Sequence, residues 1–423
     1  MPWPWLFLAV TIVGALFTFN AYLPRPAHGS WLAVPSFFAG WLTAELVAHH
    51  FAWQLAATVF FVAMGALDAW PGWLGLGITA ASWAALLAMV PVARRSGDVV
   101  EEALRQGLGP DYLRTSEPAE ALLRASAAVR AARWNPFDFR HPDVEVARDI
   151  AYATEAGPRH MLDVYYPRTG IERAPVLLQI HGGGWTIGHK RQQALPLMLH
   201  LAARGWICVA ANYRLSPKAT FPDHLVDVKR AIAWIRAHAA DYGADADFLA
   251  VTGGSAGGHL AALAGLTAND PEYQPGFESA DTSVQACVPF YGVYDFTDSQ
   301  RLDPRRQHMR FMERVVMKKK FDAEPAAFER ASPLFRVHPD APPFFIVHGA
   351  LDSLVPAASA RHFAAKLREV SKQPVCYAEL PHAQHAFEVF HSLRTHHVVR
   401  AVDRFLAWTW ARHRGRAASS DAA

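Results

Sequence analysis

Charge is what the first part of this 423-residue chain lacks: residues 1–93 hold only three formally charged side chains, Arg25, Glu45 and Asp68, yet eight of the fourteen tryptophans. From Arg94 onward the composition is that of an ordinary soluble domain, so the two parts read as built for different solvents. Cysteine is scarce, and three residues cannot supply a disulfide framework. A charge excess is missing too: 41 Lys+Arg against 38 Asp+Glu leaves +3, which gives no argument for a nucleic-acid or other polyanionic partner. Disorder is excluded by 52% hydrophobic and 19% charged residues. There is no internal repeat and no long low-complexity tract. The length allows two or three units of roughly 100–200 residues.

Four apolar runs occupy the charge-poor region: Trp3–Phe19, Trp31–Ala48, Phe51–Leu67 and Trp73–Ala93. A hydrocarbon-crossing helix needs about 17–25 predominantly apolar residues, and the first and last runs meet this plainly. The middle two are separated only by a short His49-His50 break, and read either as two short spans or as one long tilted helix. Tryptophans 3, 5, 31, 70 and 73 near the run ends suit headgroup belts. No Lys or Arg precedes Arg25, so the basic start of a cleaved signal peptide is missing. A buried helical bundle of a soluble protein would leave the charge deficit unexplained. Residues 1–93 are therefore expected to form a transmembrane helical anchor of three or four spans. Arg94 and Arg95 directly follow the last run, which by the positive-inside rule favours a multi-pass protein with a cytoplasmic catalytic part.

Residues 94–143 read as a linker, broken by Gly97, Gly107, Gly109 and Pro110, with a candidate cap or connecting helix at Glu117–Arg133. From Val144 strands and helices alternate. Strands are expected at Val144–Ala151, Met161–Tyr166, Val176–Ile180, Trp206–Ala211, Phe248–Thr252, Val284–Phe290, Phe344–Val347 and Val375–Glu379. Helices fall near Gln192–Arg204, Asp223–Ala239, Ala256–Leu266, Ala357–Val370 and Thr395–Ala411. This alternation predicts an α/β domain over residues 144–412, with a mostly parallel sheet flanked by helices, and a disordered tail at 413–423. Cys208, Cys287 and Cys376 each fall in an expected strand and read as buried core thiols. An insertion at 296–338 carries a basic stretch, Arg301–Lys320, with Met309, Met312, Val315 and Val316 at helical spacing. It reads either as a solvated helix packed by its apolar stripe or as a basic lid lying on anionic lipid.

Three segments carry chemistry. Gly253-Gly254-Ser255-Ala256-Gly257 follows an apolar strand and opens a helix, the strand-to-helix setting in which a serine is raised on a strained turn. His181-Gly182-Gly183-Gly184-Trp185 follows another strand, and its glycines let backbone amides approach a developing oxyanion. Neither a Lys-Ser/Thr pair nor G-x-G-x-x-G accompanies the glycines, which argues against a nucleotide site. Downstream, Asp352 lies on a loop after one strand, and His382 and His385 lie on a loop after the next. The order Ser255, Asp352, His385 places a nucleophile, an orienting acid and a base each past the carboxyl end of a strand.

With these motifs and Tyr213-Arg214-Leu215-Ser216-Pro217, residues 144–412 resemble the hormone-sensitive-lipase type of carboxylesterase in the α/β-hydrolase superfamily, and the multi-span N-terminus is similar to that of membrane-anchored actinobacterial esterases. Gly254 departs from the Asp that many relatives carry before the serine. The resemblance implies hydrolysis of carboxylic esters of short to medium acyl chains through an acyl-serine, with no cofactor or metal. Its partners would be a small-molecule or lipid ester and the membrane, with no nucleic acid. Ser255, Asp352 and His385 would be catalytic, and the N–H groups of Gly183, Gly184 and Ala256 would form the oxyanion hole. His385 is preferred over His382 because Ala386-Phe387 follows it. An amidase, arylformamidase or peptidase on the same fold is the alternative within enzymes. A catalytically silent receptor would need a lost triad member, and none is lost.

Overall fold

The computed structural model describes residues 2–24, 33–115, 135–153, 155 and 157–420. The helix expected at 117–133 lies outside the described residues. Four helices open the chain: α1 (Trp3–Tyr22), α2 (Ala33–Glu45), α3 (Val47–Ala63) and α4 (Trp70–Leu108). α1 and α4 run side by side in the same direction. Trp5 meets Trp70 with ring centroids 5.3 Å apart, Thr18 and Ser82 hydroxyls are 2.7 Å apart, and the Tyr22 hydroxyl donates to Ala85 O at 2.7 Å. α3 runs the opposite way, with His50 against Phe17 and Phe61 against Phe7. Aromatic rings make most of these contacts, and hydroxyl groups of Thr18, Ser82 and Tyr22 add hydrogen bonds between the helices. α1 and α4 are long and apolar enough to cross a membrane. α2 and α3 meet the same test only together, bent by 95° at Leu46, so one long tilted helix is not what forms.

The boundary expected at 93 is not a break. α4 continues for 39 residues, through Arg94 and Arg95, and its second half lies on the sheet. Gly97 and Gly107, read above as helix breakers, are approach points. A Cβ on Gly97 would stand 2.8 Å from the His397 ring, and one on Gly107 would overlap Cys376 Sγ. Only Gly109, at φ +95°, ends the helix. At the other end of the chain the last helix runs to Ser420, so residues 413–420 are helical rather than a loose tail.

The part of the chain from Val144 is built on an eight-stranded sheet. Its strands are β1 (Val144–Ala151), β2 (Met161–Pro167), β3 (Ala174–Ile180), β4 (Ile207–Ala211), β5 (Ala244–Gly254), β6 (Ala286–Phe290), β7 (Phe344–Gly349) and β8 (Val375–Leu380), in the order β1-β2-β4-β3-β5-β6-β7-β8. β2 pairs antiparallel with β1 and β4, and every other pairing is parallel. β3, β4 and β6 are buried along their whole length because helices cover both faces, which is why they read as unbroken apolar runs. One face is covered by α4, α5 (Leu195–Ala202) and the C-terminal helix (Leu393–Ser420). The other is covered by α6 (Asp223–His238), α7 (Ala256–Leu266), the helix Ala357–Val370 and the 296–338 insertion. In that insertion Met309, Met312 and Val316 are buried in the domain core, while the basic side chains face outward. The three cysteines are free and fully buried in β4, β6 and β8, and burial pushes their thiols up, Cys376 to about 12.

Candidate active site

Strand register brings the motif loops together. Ile180 at the end of β3 pairs with Gly253 near the end of β5, so the His181–Trp185 loop and the Ser255 turn leave the sheet side by side. Gly254 pairs with Phe290 and Phe290 with Val347, and Gly349 pairs with Leu380, which continues the row to the Asp352 and His385 loops. All four loops lie at the carboxyl ends of parallel strands, where an open α/β sheet forms its crevice.

Ser255 precedes α7 with φ +58° and ψ −119°, a region unfavourable to any residue with a Cβ. Its neighbours make room. A Cβ on Gly253 would lie 2.5 Å from Gly257 O, one on Gly254 would lie 2.6 Å from the Tyr291 hydroxyl, and one on Gly182 would lie 3.2 Å from Ser255 Cβ. The turn is held by Ser255 N donating to Phe290 O at 3.0 Å. Gly183 and Gly184 also have positive φ, +113° and +59°. Among the described residues the amides of Gly183, Gly184 and Ala256 donate to no protein acceptor; Ala256, as the first residue of α7, has no intrahelical acceptor. Three unengaged N–H groups beside a helix N-terminus favour negative charge next to Ser255.

The glycine loop is braced from below. Tyr213 stacks on His181 at 4.4 Å and donates its hydroxyl to His181 O at 3.0 Å, and Ser216 N donates to Trp185 O at 2.8 Å. Arg214, one residue on, forks onto buried Asp227 at 2.8–3.0 Å. Gly182 N donates to Gln193 Oε1 at 2.6 Å. Burial lowers His181 to about 4, so this ring stays neutral and serves as support.

His385 Nδ1 lies 2.7 Å from Asp352 Oδ2. The other Asp352 oxygen accepts from the amides of Leu354 and Val355. Burial alone would raise the Asp352 carboxyl. The charge of His385, with hydrogen bonds from His348 and His385, outweighs it and holds the group well below the usual carboxylate range. His382 goes elsewhere: its ring meets Tyr22 edge-on at 5.6 Å.

Sequence reasoning missed the residues that hold this arrangement. His348, fully buried, puts Nε2 3.2 Å from Asp352 Oδ2. Gln384 Oε1 accepts from Ser353 N at 2.6 Å and His385 N at 2.9 Å, tying the Asp352 loop to the His385 loop. The Tyr291 ring lies against the imidazole of His385 at 4.3 Å, and its hydroxyl is 2.5 Å from both oxygens of buried Glu388. Burial raises Glu388 to about 7. Phe37 of α2 closes the other side, its ring edge-on to His385 at 6.1 Å. Glu388 left one trace in the sequence, a lone acid among Ala386, Phe387, Val389 and Phe390; Phe37 left none. Among the described residues no cluster of His, Cys, Asp or Glu is arranged to hold a metal ion.

Comparison with known proteins gives concordant results. A family model described as BD-FAE matches residues 162–367. The probable carboxylic ester hydrolase LipM of Mycobacterium tuberculosis is 45% identical over 96% of this chain and 93% of its own length. The esterase LipQ of the same organism is 42% identical over 89% and 85%. Among solved structures, a thermophilic esterase, Est2, from the planctomycete Thermogutta terrifontis superposes with a TM-score of 0.52 at 26% identity, over 64% of this chain and 93% of that one.

Proposed function

The chain belongs to the carboxylesterases of the α/β-hydrolase superfamily, with motifs of the hormone-sensitive-lipase type, and from that premise we propose a membrane-anchored serine esterase that acts through an acyl-serine. Ser255 Oγ attacks the ester carbonyl while His385 takes its proton. Asp352 holds the Nδ1 side of the imidazole and stabilises the imidazolium. The N–H groups of Gly183, Gly184 and Ala256 receive the oxyanion, a contribution of about 3–4 kcal/mol per donor in such sites. Collapse expels the alcohol, which takes the proton from His385. Water then repeats the cycle on the acyl-serine and releases the acid. The observation that carries this reading is the 2.7 Å His385–Asp352 bond on the same sheet edge as three unengaged amides and a strained serine.

The anchor is the second half of the proposal. α1, α3 and α4 lie roughly alongside one another, and 17–20 residues of helix rise about 25–30 Å, close to the hydrocarbon thickness. With these three as spans, the N-terminus and the catalytic domain fall on opposite sides, and Arg94 and Arg95 favour the cytoplasm for the catalytic side. Short to medium acyl chains are the expected substrates. Fluorophosphonate labelling of membrane and soluble fractions, with Ser255→Ala as control, tests nucleophile, reaction class and location together. A labelled membrane band that vanishes in the variant supports the reading; labelling that survives Ser255→Ala, or appears only in the soluble fraction, overturns it.

A further inference from the structure

α2 does not lie among the other three helices. It turns 95° from α3 and lies across the catalytic part at the His385 loop. Both ends are fixed by polar bonds. At its start Asn20 of α1 and Ser36 exchange hydrogen bonds of 2.5–2.6 Å. At its end Glu45 pairs with Arg394 at 2.6 Å and accepts from Ser392. Between these ties the side facing the domain is apolar or small. Phe37 meets His385, Trp41 meets Phe390 at 5.1 Å, and a Cβ on Gly40 would stand 3.8 Å from Gln384 Nε2.

The remaining face is apolar and open. Phe38, in ring contact with Phe37 at 5.0 Å, is 49% exposed, and Val34, one turn earlier, is 58% exposed. Phe19 and Leu23 at the end of α1 are also exposed, at the level where α1 is tied to α2. Being about half exposed, each such side chain forgoes roughly 1 kcal/mol of burial, about half the value for a whole side chain. A lipid surface at this level removes that cost, and the apolar path from it ends at the catalytic imidazole. The far side of the site is apolar as well: Ile187 is exposed beyond Gly183, and the Phe311 ring would lie 3.8 Å from a Cβ on Gly184.

We propose that α2 is the acyl-chain wall of the active site and that the substrate is a medium-chain lipid ester taken from the bilayer, its chain passing from Ser255 along Phe37 and Phe38 towards Val34. The proposal rests on the membrane-anchored esterase reading above. α2 is then a substrate-binding element as well as part of the anchor.

The test uses the full chain in phospholipid nanodiscs and two alkyl fluorophosphonates, one with an ethyl and one with a dodecyl chain. The readout is the ratio of their Ser255 labelling rates. In Phe37→Ala and Phe38→Ala the dodecyl-to-ethyl ratio is expected to fall at least about tenfold, the equivalent of 1.4 kcal/mol of lost chain contact. Should Phe37→Ala fail to fold, half-exposed Phe38 still carries the measurement. Equal slowing of both probes would make α2 a prop for His385 and overturn the proposal. Unchanged rates would send the chain elsewhere and overturn it too. A wild-type protein labelled by neither probe would instead bring down the serine-esterase reading itself.

Discussion

Glu45 of α2 and Arg394, at the start of the C-terminal helix, form an ion pair 2.6 Å long in which each side chain is 1% exposed. Arg394 also donates to Ala44 O and to Pro381 O, the residue that opens the His385 loop. One guanidinium thus joins the charge-poor helices to the loop that carries the candidate base. Removing one partner of a buried pair strands the other charge, at a cost of about 3–5 kcal/mol. Arg394→Met and Glu45→Gln should each lower the thermal unfolding midpoint and reduce kcat, and the double variant should recover part of the stability. Additive losses in that cycle, measured in detergent micelles, would show that the pair is not coupled.

The two loop histidines should separate cleanly. His385→Ala is expected to lose about 10⁴-fold or more of kcat, as removal of a catalytic base does. It should also lose the rise of kcat/KM with pH that a base needing its unprotonated form imposes. His382→Ala, whose ring faces Tyr22, should keep both the rate and the rise. The reverse pattern would move the base to His382.

Glu388 predicts a pH-dependent stability. Its carboxyl moves from 4.5 to about 7 on folding, with burial the main cause. In that window the folded chain holds a proton that the unfolded chain has released. Stability is therefore complete below 4.5, falls as pH rises to about 7, and stays reduced above, by about 3 kcal/mol. Glu388→Gln keeps an acceptor for Tyr291 and should lack this fall. Denaturation midpoints of wild type and variant should converge near pH 4.5 and diverge by pH 8; parallel curves would contradict the assignment.

Topology can be read with thiol probes, because Cys208, Cys287 and Cys376 are fully buried and give little background. Asp68→Cys lies on the turn between α3 and α4, and Lys372→Cys lies on the catalytic part before β8. With the catalytic side cytoplasmic, an impermeant maleimide should label Asp68→Cys in intact cells and Lys372→Cys only after permeabilisation. Labelling of both from one side would mean that α4 does not cross.

The sequence by itself determined what depends on neighbours along the chain. Buried parallel strands must be short and wholly apolar, and glycines must stand where backbones approach a serine or an oxyanion. These local demands made the eight strands, the Ser255 turn and the order Ser255, Asp352, His385 legible, and the charge deficit marked out the N-terminal region. The tertiary structure decided whatever depends on residues far apart in the chain. His385 rather than His382 reaches Asp352 because Gln384 ties their two loops together. Tyr291 reaches Glu388 across 97 positions, and Arg394 reaches Glu45 across 349. Gly97 and Gly107 have the same identity whether they end a helix or admit a neighbour, and only the packing of α4 on His397 and Cys376 tells which. No local pattern records that Phe37, in the region most depleted of charge, lies against the His385 imidazole, because that contact is set by where α2 and the sheet come to rest in space.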